Sequence, residues 1–332
     1  MKVHTRPPAK LNLFLEIPAK RDDGYHEIDT VMTAIDWRDE LTVESIDEPV
    51  VELTASWLPS FESVARELGL DSGSEKAHQL LGIPTDERNL VVRALNAFRD
   101  HFSIASGFRV QLGKRIPAGA GMGGASSDAA HAISCAAHLH QLSSEEQALH
   151  QIAASIGSDV PFFLPMSEDV VVEDETAAER LWACHATGRG EILQPVDMRT
   201  AIHFVVGYPP ASLPTIEVYR RLKVPAAPIN SSGFLAALRN DRAEDLATSM
   251  MNRLSEPALE IFPELNELLE SLWQSGLQPC QLTGSGSACF GIARDAEHAQ
   301  QALQQLKTIH SVPALWRATR SVSAAATIER VI

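Results

Sequence analysis

The stretch PAGAGMGGASSDAA, residues 117–130, constrains this chain more than any other. Gly119, Gly121, Gly123 and Gly124 let backbone N–H groups come close to another group. Ser126 and Ser127 add hydroxyl donors. The Ala-rich run that follows has apolar residues at helical spacing, so a helix starts inside the loop and points its positive end at the same place. Loop and helix together make a phosphate cradle; a glycine turn with no ligand is the alternative. Three of the glycines also spell G-x-G-x-x-G, but the dinucleotide reading fails. The preceding strand is half polar and is interrupted by Lys114, Arg115 and Pro117. About 20 residues on, where an acidic strand end is required, stand His138, Leu139 and His140. No G-K-[ST] closes the loop, which excludes a Walker loop.

Around this motif the pattern alternates between strands and helices. LNLFLEI, 11–17, predicts a strand with Leu11, Leu13, Leu15 and Ile17 on one face. Asp23-Gly24 marks a turn, and ELTVESI and VVELTA read as further strands. Residues 55–84 hold two short helical patterns and read as an inserted subdomain or flap. RNLVVRALNAFRDHF predicts an amphipathic helix and GFRVQL a half-buried strand. Ser143 and Glu146 have capping-box spacing for the next helix, Gly157 ends it, and SDVPFFL reads as extended. In the second half, HFVVGYP and PALWRAT are strand candidates. GFLAALRNDRAEDLATSMM, PELNELLESLWQSG and DAEHAQQALQQL are helices, and PCQLTGSGSACFGIA is strand, glycine turn, strand. This mixture predicts an α+β chain in two domains that divide near 165–180.

The 332 residues suit two cores, and the formal net charge of −15 argues against nucleic-acid or anionic-membrane partners. There is no apolar run of membrane-spanning length and no targeting pattern at the start, so a cytoplasmic location is expected. Four cysteines without metal or redox spacing read as reduced thiols. His131, Cys135 and His138 share a helix face, better explained by partial burial than by a metal.

Three motifs give the chain a family. P-A-K-L-N-L-F-L at 8–15, G-x-G-x-G-G-x-S-S-x-A-A at 119–130 and L-T-G-S-G-S-A at 282–288 resemble those of the GHMP kinase superfamily. D-G-Y-H-E-I at 23–28, R-N-L-V-V-R-A at 88–94, G-S-D-V-P-F-F-L at 157–164, G-R-G-E-I-L at 188–193 and P-T-x-x-V-Y at 214–219 resemble its branch acting on a cytidylated methylerythritol. The resemblance implies a two-domain α+β fold. Residues 1–165 would form a ribosomal-S5-like ATP-binding domain carrying 55–84 as an insertion, and 166–332 a ferredoxin-like substrate domain. It implies ATP with Mg²⁺ as donor, a small-molecule acceptor phosphorylated on its 2-hydroxyl, and a monomer or homodimer. The alternatives are another small-alcohol kinase of the superfamily and a non-catalytic nucleotide-binding relative.

The same resemblance assigns roles. Asp159 would accept or orient the proton of the attacking hydroxyl, with Lys10 beside it. Asn12, two residues from Lys10, would share its strand face and orient the acceptor. Tyr25 and His26 would lie at the cytosine, with Tyr219 on its other side and Thr215 in contact with the substrate. Gly284, Ser285 and Gly286 would close over the transferring phosphate. Asn89 would lie near the adenosine, with Pro117, Gly119, Gly121, Gly123, Gly124, Ser126 and Ser127 around the nucleotide. No metal ligands are assigned. Two residues depart from the pattern. Ala125 and Asp128 stand where glycine and asparagine are usual, and Asp128 would either face the triphosphate or turn away.

Overall fold

The computed structural model describes residues 1–164, 182–198, 200–240, 243–309, 313–322 and 328–331. The expected domain boundary and nearly all of the acidic stretch at 167–182 lie outside them. In the first half, β1 (Lys2–Thr5), β2 (Pro8–Lys20), β3 (His26–Arg38), β4 (Glu40–Ile46) and β5 (Val51–Trp57) are followed by α1 (Phe61–Glu67), α2 (Glu75–Leu81) and α3 (Leu90–Phe102). Then come β6 (Gly107–Lys114), α4 (Gly124–Leu139) and α5 (Glu146–Ile156). The second half holds β7 (Trp182–Thr187), β8 (Ile192–Asp197), β9 (His203–Tyr208), α6 (Thr215–Arg221), α7 (Ser232–Arg239) and α8 (Ala243–Ser249). It continues with β10 (Met251–Asn252), α9 (Ser255–Ile261), α10 (Leu265–Gln274), β11 (Cys280–Leu282), β12 (Cys289–Ala293), α11 (Ala296–Ile309), β13 (Leu315–Val322) and β14 (Glu329–Arg330).

The strands form two sheets. One has the order β14-β1-β4-β6-β5; the other runs β10-β2-β3-β13-β9-β12-β11, with the β7–β8 hairpin on β3. The second sheet joins the two halves of the sequence, because β3 meets β13 at Ala34 and Ile35 and meets β7 at Thr30 to Thr33. Gly124, Ser127, Asp128 and Ala129 of α4 are buried, and the alanines beyond let α4 press close to α3 and to the first sheet. Val43, Leu95, Phe98, Phe108, Val110 and Ile133 form that core. Leu265, Leu268 and Leu272, one stripe of α10, pack with Leu277, Leu282 and Trp316 at the other end. A third cluster, with Phe14, Ile35, Trp37, Phe204 and Phe290, draws on both halves.

Several expectations change. β2 is buried on both faces from Pro8 to Glu16, because it lies inside the large sheet. Residues 55–57 are sheet, and Val64, Ala65, Leu68 and Leu81 of the helical segment enter the shared core, so 55–84 is no free flap. The Ser143–Glu146 capping box does not form; Glu145 stands at the N-cap of α5 with no side-chain bond. SDVPFFL is a turn and a 3₁₀ helix at Pro161–Phe163, where Pro161 fits the first helical position. The long helix expected after Gly233 is two helices, α7 and α8, and Met251 leaves it to pair with β2. His131 and Cys135 are fully buried, and among the described residues no group of three or more His, Cys, Asp or Glu could hold a metal.

Candidate active site

The three glycine- and lysine-bearing motifs meet at one place. Lys10 N donates to Met122 O at 2.9 Å, and Ala288 N donates to Ala120 O at 3.1 Å. Asn12 N donates to Thr283 Oγ1 at 3.0 Å, and that hydroxyl reaches Gly121 O at 3.2 Å. β2, the glycine loop and the turn after β11 are thus tied together by their backbones. Further bonds hold the turn: Asn252 Nδ2 donates to Leu282 O and Gly284 O at 2.9 and 2.8 Å. Gln281 Nε2 donates to Asn12 O and Leu13 O, each at 3.1 Å. Arg253 and buried Glu16 form a two-pronged pair at 2.6 and 2.7 Å.

The glycines are required by geometry. Gly121 has φ +74°, and a Cβ there would stand 2.1 Å from Thr283 O. Gly123 has φ +68°, caps α4, and faces Lys10 and the Phe163 ring. Gly119, Gly121, Gly123 and Ser126 line a cleft of about 340 Å³ at the N-terminus of α4. Its wall also holds Lys10, Asn12, Asp159, Thr215, Tyr219, Gly284 and Ser285. A 16-residue helix that starts at such a cradle suits the phosphates of a nucleotide, so the residues fit ATP.

Lys10 Nζ lies 3.8 Å from Asp159 Oδ2. Its side chain is buried, whereas that of Asp159 is 39% exposed and open to the cleft. Burial pushes the Lys10 ammonium below its ordinary value, and Asp159 works against that. Asn12 Oδ1 accepts from Lys10 Nζ at 2.5 Å, and Asn12 Nδ2 donates to Thr30 Oγ1 at 2.9 Å. The amide therefore aims the lysine, a positioning part in addition to any contact with the acceptor. Asp159 follows the end of α5 at Gly157.

A second cavity of about 810 Å³ adjoins the cleft and is lined by Tyr25, His26, Thr215 and Tyr219. The His26 and Tyr219 rings are 5.0 Å apart, which is contact; a base would stack against them or on Tyr25, not between them. Burial, helped by Lys20, lowers His26, so its neutral ring can both donate and accept. Burial, with Asp159 adding to it, pushes the Tyr219 phenol up. Thr215 Oγ1 and Ser285 Oγ are 3.0 Å apart and link the two subsites.

The remaining assigned residues do not line this cleft. Asn89 caps α3, accepting from Val91 N at 2.9 Å and donating to Pro84 O at 2.7 Å; it does not line the cleft. Pro117, Gly124 and Ser127 are buried beneath the loop, and Gly286 closes the turn through its N–H to Thr283 O at 3.0 Å. Thr283, Thr30 and Arg189 are site residues that sequence reasoning left without a role. Thr283 and Arg189 stand inside quoted motifs; Thr30 carries no local signal.

Family models for the GHMP kinases N terminal domain and the GHMP kinases C terminal domain match residues 89–165 and 234–310. A curated relative from Rhodopirellula baltica, named 4-diphosphocytidyl-2-C-methyl-D-erythritol kinase, is 46% identical over 325 residues, 96% of this chain and 94% of the relative. This chain belongs to that kinase family. A second member of the 4-diphosphocytidyl-2-C-methyl-D-erythritol kinase family, from Chlorobium phaeobacteroides, is 32% identical over 88% of this chain and 90% of its own. A crystal structure of a 4-(cytidine 5'-diphospho)-2C-methyl-D-erythritol kinase aligns with a TM-score of 0.70 at 29% identity, covering 96% of this chain and 99% of the other. Homoserine kinase from Cytophaga hutchinsonii aligns at 0.68 with 16% identity, covering 99% and 97%, a likeness of fold.

The two departures from the family pattern are placed by the structure. Ala125 is exposed at the start of α4. Asp128 turns away from the cleft and meets Lys114 Nζ at 2.6 Å, under the loop. Lys114 also binds Asp39, whose Oδ1 accepts from Ile116 N at 2.9 Å and from Arg115 N at 2.5 Å. Burial and then Asp39 push the Asp128 carboxyl up to about 8, while Lys114 holds it down.

Proposed function

We propose that this chain transfers the γ-phosphoryl group of ATP to the 2-hydroxyl of 4-diphosphocytidyl-2-C-methyl-D-erythritol. The observation that carries the reading is the Lys10–Asp159 pair, set between a phosphate cradle on one side and an aromatic cavity on the other. The new bond joins the acceptor oxygen to Pγ, the bond from Pγ to the β-bridging oxygen breaks, and ADP leaves. Asp159 orients the hydroxyl and takes its proton, then returns it to solvent. Lys10, aimed by Asn12 and 3.8 Å from that carboxylate, offsets the charge that gathers on the transferring group. The glycine loop and the N-terminus of α4 hold the nucleotide phosphates, and Ser126 gives them a hydroxyl. Mg²⁺, if bound here, would neutralise charge on the phosphates, and Asp159 and Ser126, both in the cleft wall, would hold it.

Tyr25, His26 and Tyr219 favour a cytidylated acceptor over homoserine or mevalonate, which have no base to fill 810 Å³. The test is ADP release from Mg²⁺-ATP with the cytidylated acceptor, with homoserine and mevalonate as controls. Turnover is expected with the first alone, and Asp159→Asn lowers kcat by at least about a hundredfold. Turnover with a control acceptor instead overturns the substrate. An Asp159→Asn chain near wild-type rate overturns the role of the carboxylate.

A further inference from the structure

The catalytic cleft and the aromatic cavity share a short stretch of wall: Ile28, Gly157, Ser158, Arg189, Thr215 and Tyr219. Lys10 and Arg189 are the basic residues of the cleft; Lys20, Arg189 and Arg220 are those of the cavity, apart from the imidazole of His26. Among the described residues Arg189 is thus the one cation common to both. An acceptor whose base lies in the cavity and whose hydroxyl meets Asp159 must lay its diphosphate along that shared wall. From this juxtaposition we propose that Arg189 is the specificity residue that recognises the bridging diphosphate of the acceptor. The inference rests on the acceptor proposed above.

The local structure is built to present that side chain. Arg189 stands in the tight turn that joins β7 to β8, closed by Gly190 N donating to Thr187 O at 3.1 Å. Gly188 and Gly190 have φ of +72° and +111°, a conformation that side chains resist. Ile28 N donates to Gly188 O at 2.7 Å and ties the turn to β3, beside the residues that carry Tyr25 and His26. The Glu191 carboxylate accepts from Arg189 N at 2.6 Å, which fixes the backbone. Arg189 Nε forms an ion pair with Glu191 Oε1 at 3.7 Å, beyond hydrogen-bond length. The guanidinium lies 5.1 Å from the centre of the Tyr25 ring. Stacking on an aromatic face leaves the edge of a guanidinium available, and that edge matches two phosphate oxygens at once. Lys10, in contrast, donates a hydrogen bond to Asn12 Oδ1 at 2.5 Å. On a chain of net charge −15, an anionic acceptor meets a repulsive mean field, so a single well-placed cation matters more.

The test compares CDP with cytidine, two ligands that differ by the diphosphate. Calorimetric titrations would use the full chain with its nucleotide site saturated by ADP, so that CDP reports on the acceptor site. Wild type is expected to bind CDP at least about 30-fold more tightly than cytidine. Arg189→Met removes that preference and leaves cytidine affinity within about threefold, and Arg189→Lys keeps part of it. In turnover, Arg189→Met raises KM for the cytidylated acceptor in the same proportion and leaves KM for ATP unchanged. If Arg189→Met weakens CDP and cytidine equally, the side chain acts by supporting Tyr25 and the proposal is overturned. It is overturned as well if the CDP preference survives in Arg189→Met. Wild-type turnover of homoserine or mevalonate, and none of the cytidylated acceptor, removes the underlying reading instead and is seen without any Arg189 variant.

Discussion

Replacing Lys114 by Met tests how the phosphate loop is held. Lys114, Asp39 and Asp128 are 5%, 0% and 2% exposed, so the three groups are satisfied by one another and not by water. They come from three places: the end of β6, the corner between β3 and β4, and the early part of α4. Without the ammonium, Asp39 keeps two amide donors, but Asp128 loses its partner; its other oxygen, Oδ1, is buried with no hydrogen bond. Breaking a buried pair from one side costs about 3–5 kcal/mol. Unfolding entropy near 2.1 cal/mol/K per residue over 332 residues is roughly 0.7 kcal/mol/K, so the thermal midpoint should fall by about 4–7 °C. The deficit also depends on pH. A carboxyl raised in the folded state holds a proton that the unfolded chain releases, so its contribution to stability falls as pH rises from about 4 through the folded value. Lys114→Met raises Asp128 further, and its deficit must therefore be larger at about pH 8 than at about pH 5.5. Differential scanning calorimetry at both pH values measures this, and adding Asp128→Leu should recover more than half of the loss. A single-variant midpoint within about 1 °C of wild type, or a deficit that shrinks with pH, would refute the reasoning.

Two other perturbations address the loop and the helix that follows it. Gly121→Ala places a methyl group 2.1 Å from Thr283 O at φ +74°, which forces the loop from the turn after β11; KM for ATP is expected to rise at least about tenfold in steady-state assays, with the fold retained by circular dichroism. His131 is held down to about 4 by burial, and its ring Nδ1 lies 2.9 Å from Ser127 O. The unfolded chain takes up a proton below about pH 6.5 that the folded ring refuses, so stability falls between about pH 6.5 and 4, by about 3 kcal/mol in all. Chemical denaturation at several pH values should show that slope in wild type and its loss in His131→Gln; equal slopes would remove the assignment.

Much of this site is legible in the chain itself. The glycine loop, the helix it opens, Lys10 with Asn12 at strand spacing, and the turn at 282–288 each declare themselves locally, since each is a short segment with a backbone requirement of its own. Asp159 is less visible as geometry: SDVPFFL reads as extended, whereas Pro161 starts a 3₁₀ turn that sets the carboxylate at the cleft. Asn89 shows the converse. Its motif points to nucleotide, but its side chain is engaged in capping α3. Thr30 carries no local signal, and the motif around Thr283 does not give its role, because their partners Asn12 and Gly121 are distant in sequence.

The sequence by itself determined where the chain can bend, cap and cradle an anion, because those properties follow from glycine freedom, side-chain period and helix polarity within about a dozen residues. The tertiary structure alone decided which charges face the cleft. Asp128 lies in the same loop-and-helix segment as Ser126, yet Ser126 lines the cleft while Asp128 is drawn inward to Lys114, because Asp39 arrives from the corner of another strand pair and brings that ammonium beneath the loop. It likewise set Arg189 between two subsites, since the β7–β8 hairpin docks on β3 through pairings at least 150 residues apart in sequence. Burial and long-range pairing fix the direction in which a charged side chain acts, and no local pattern encodes either.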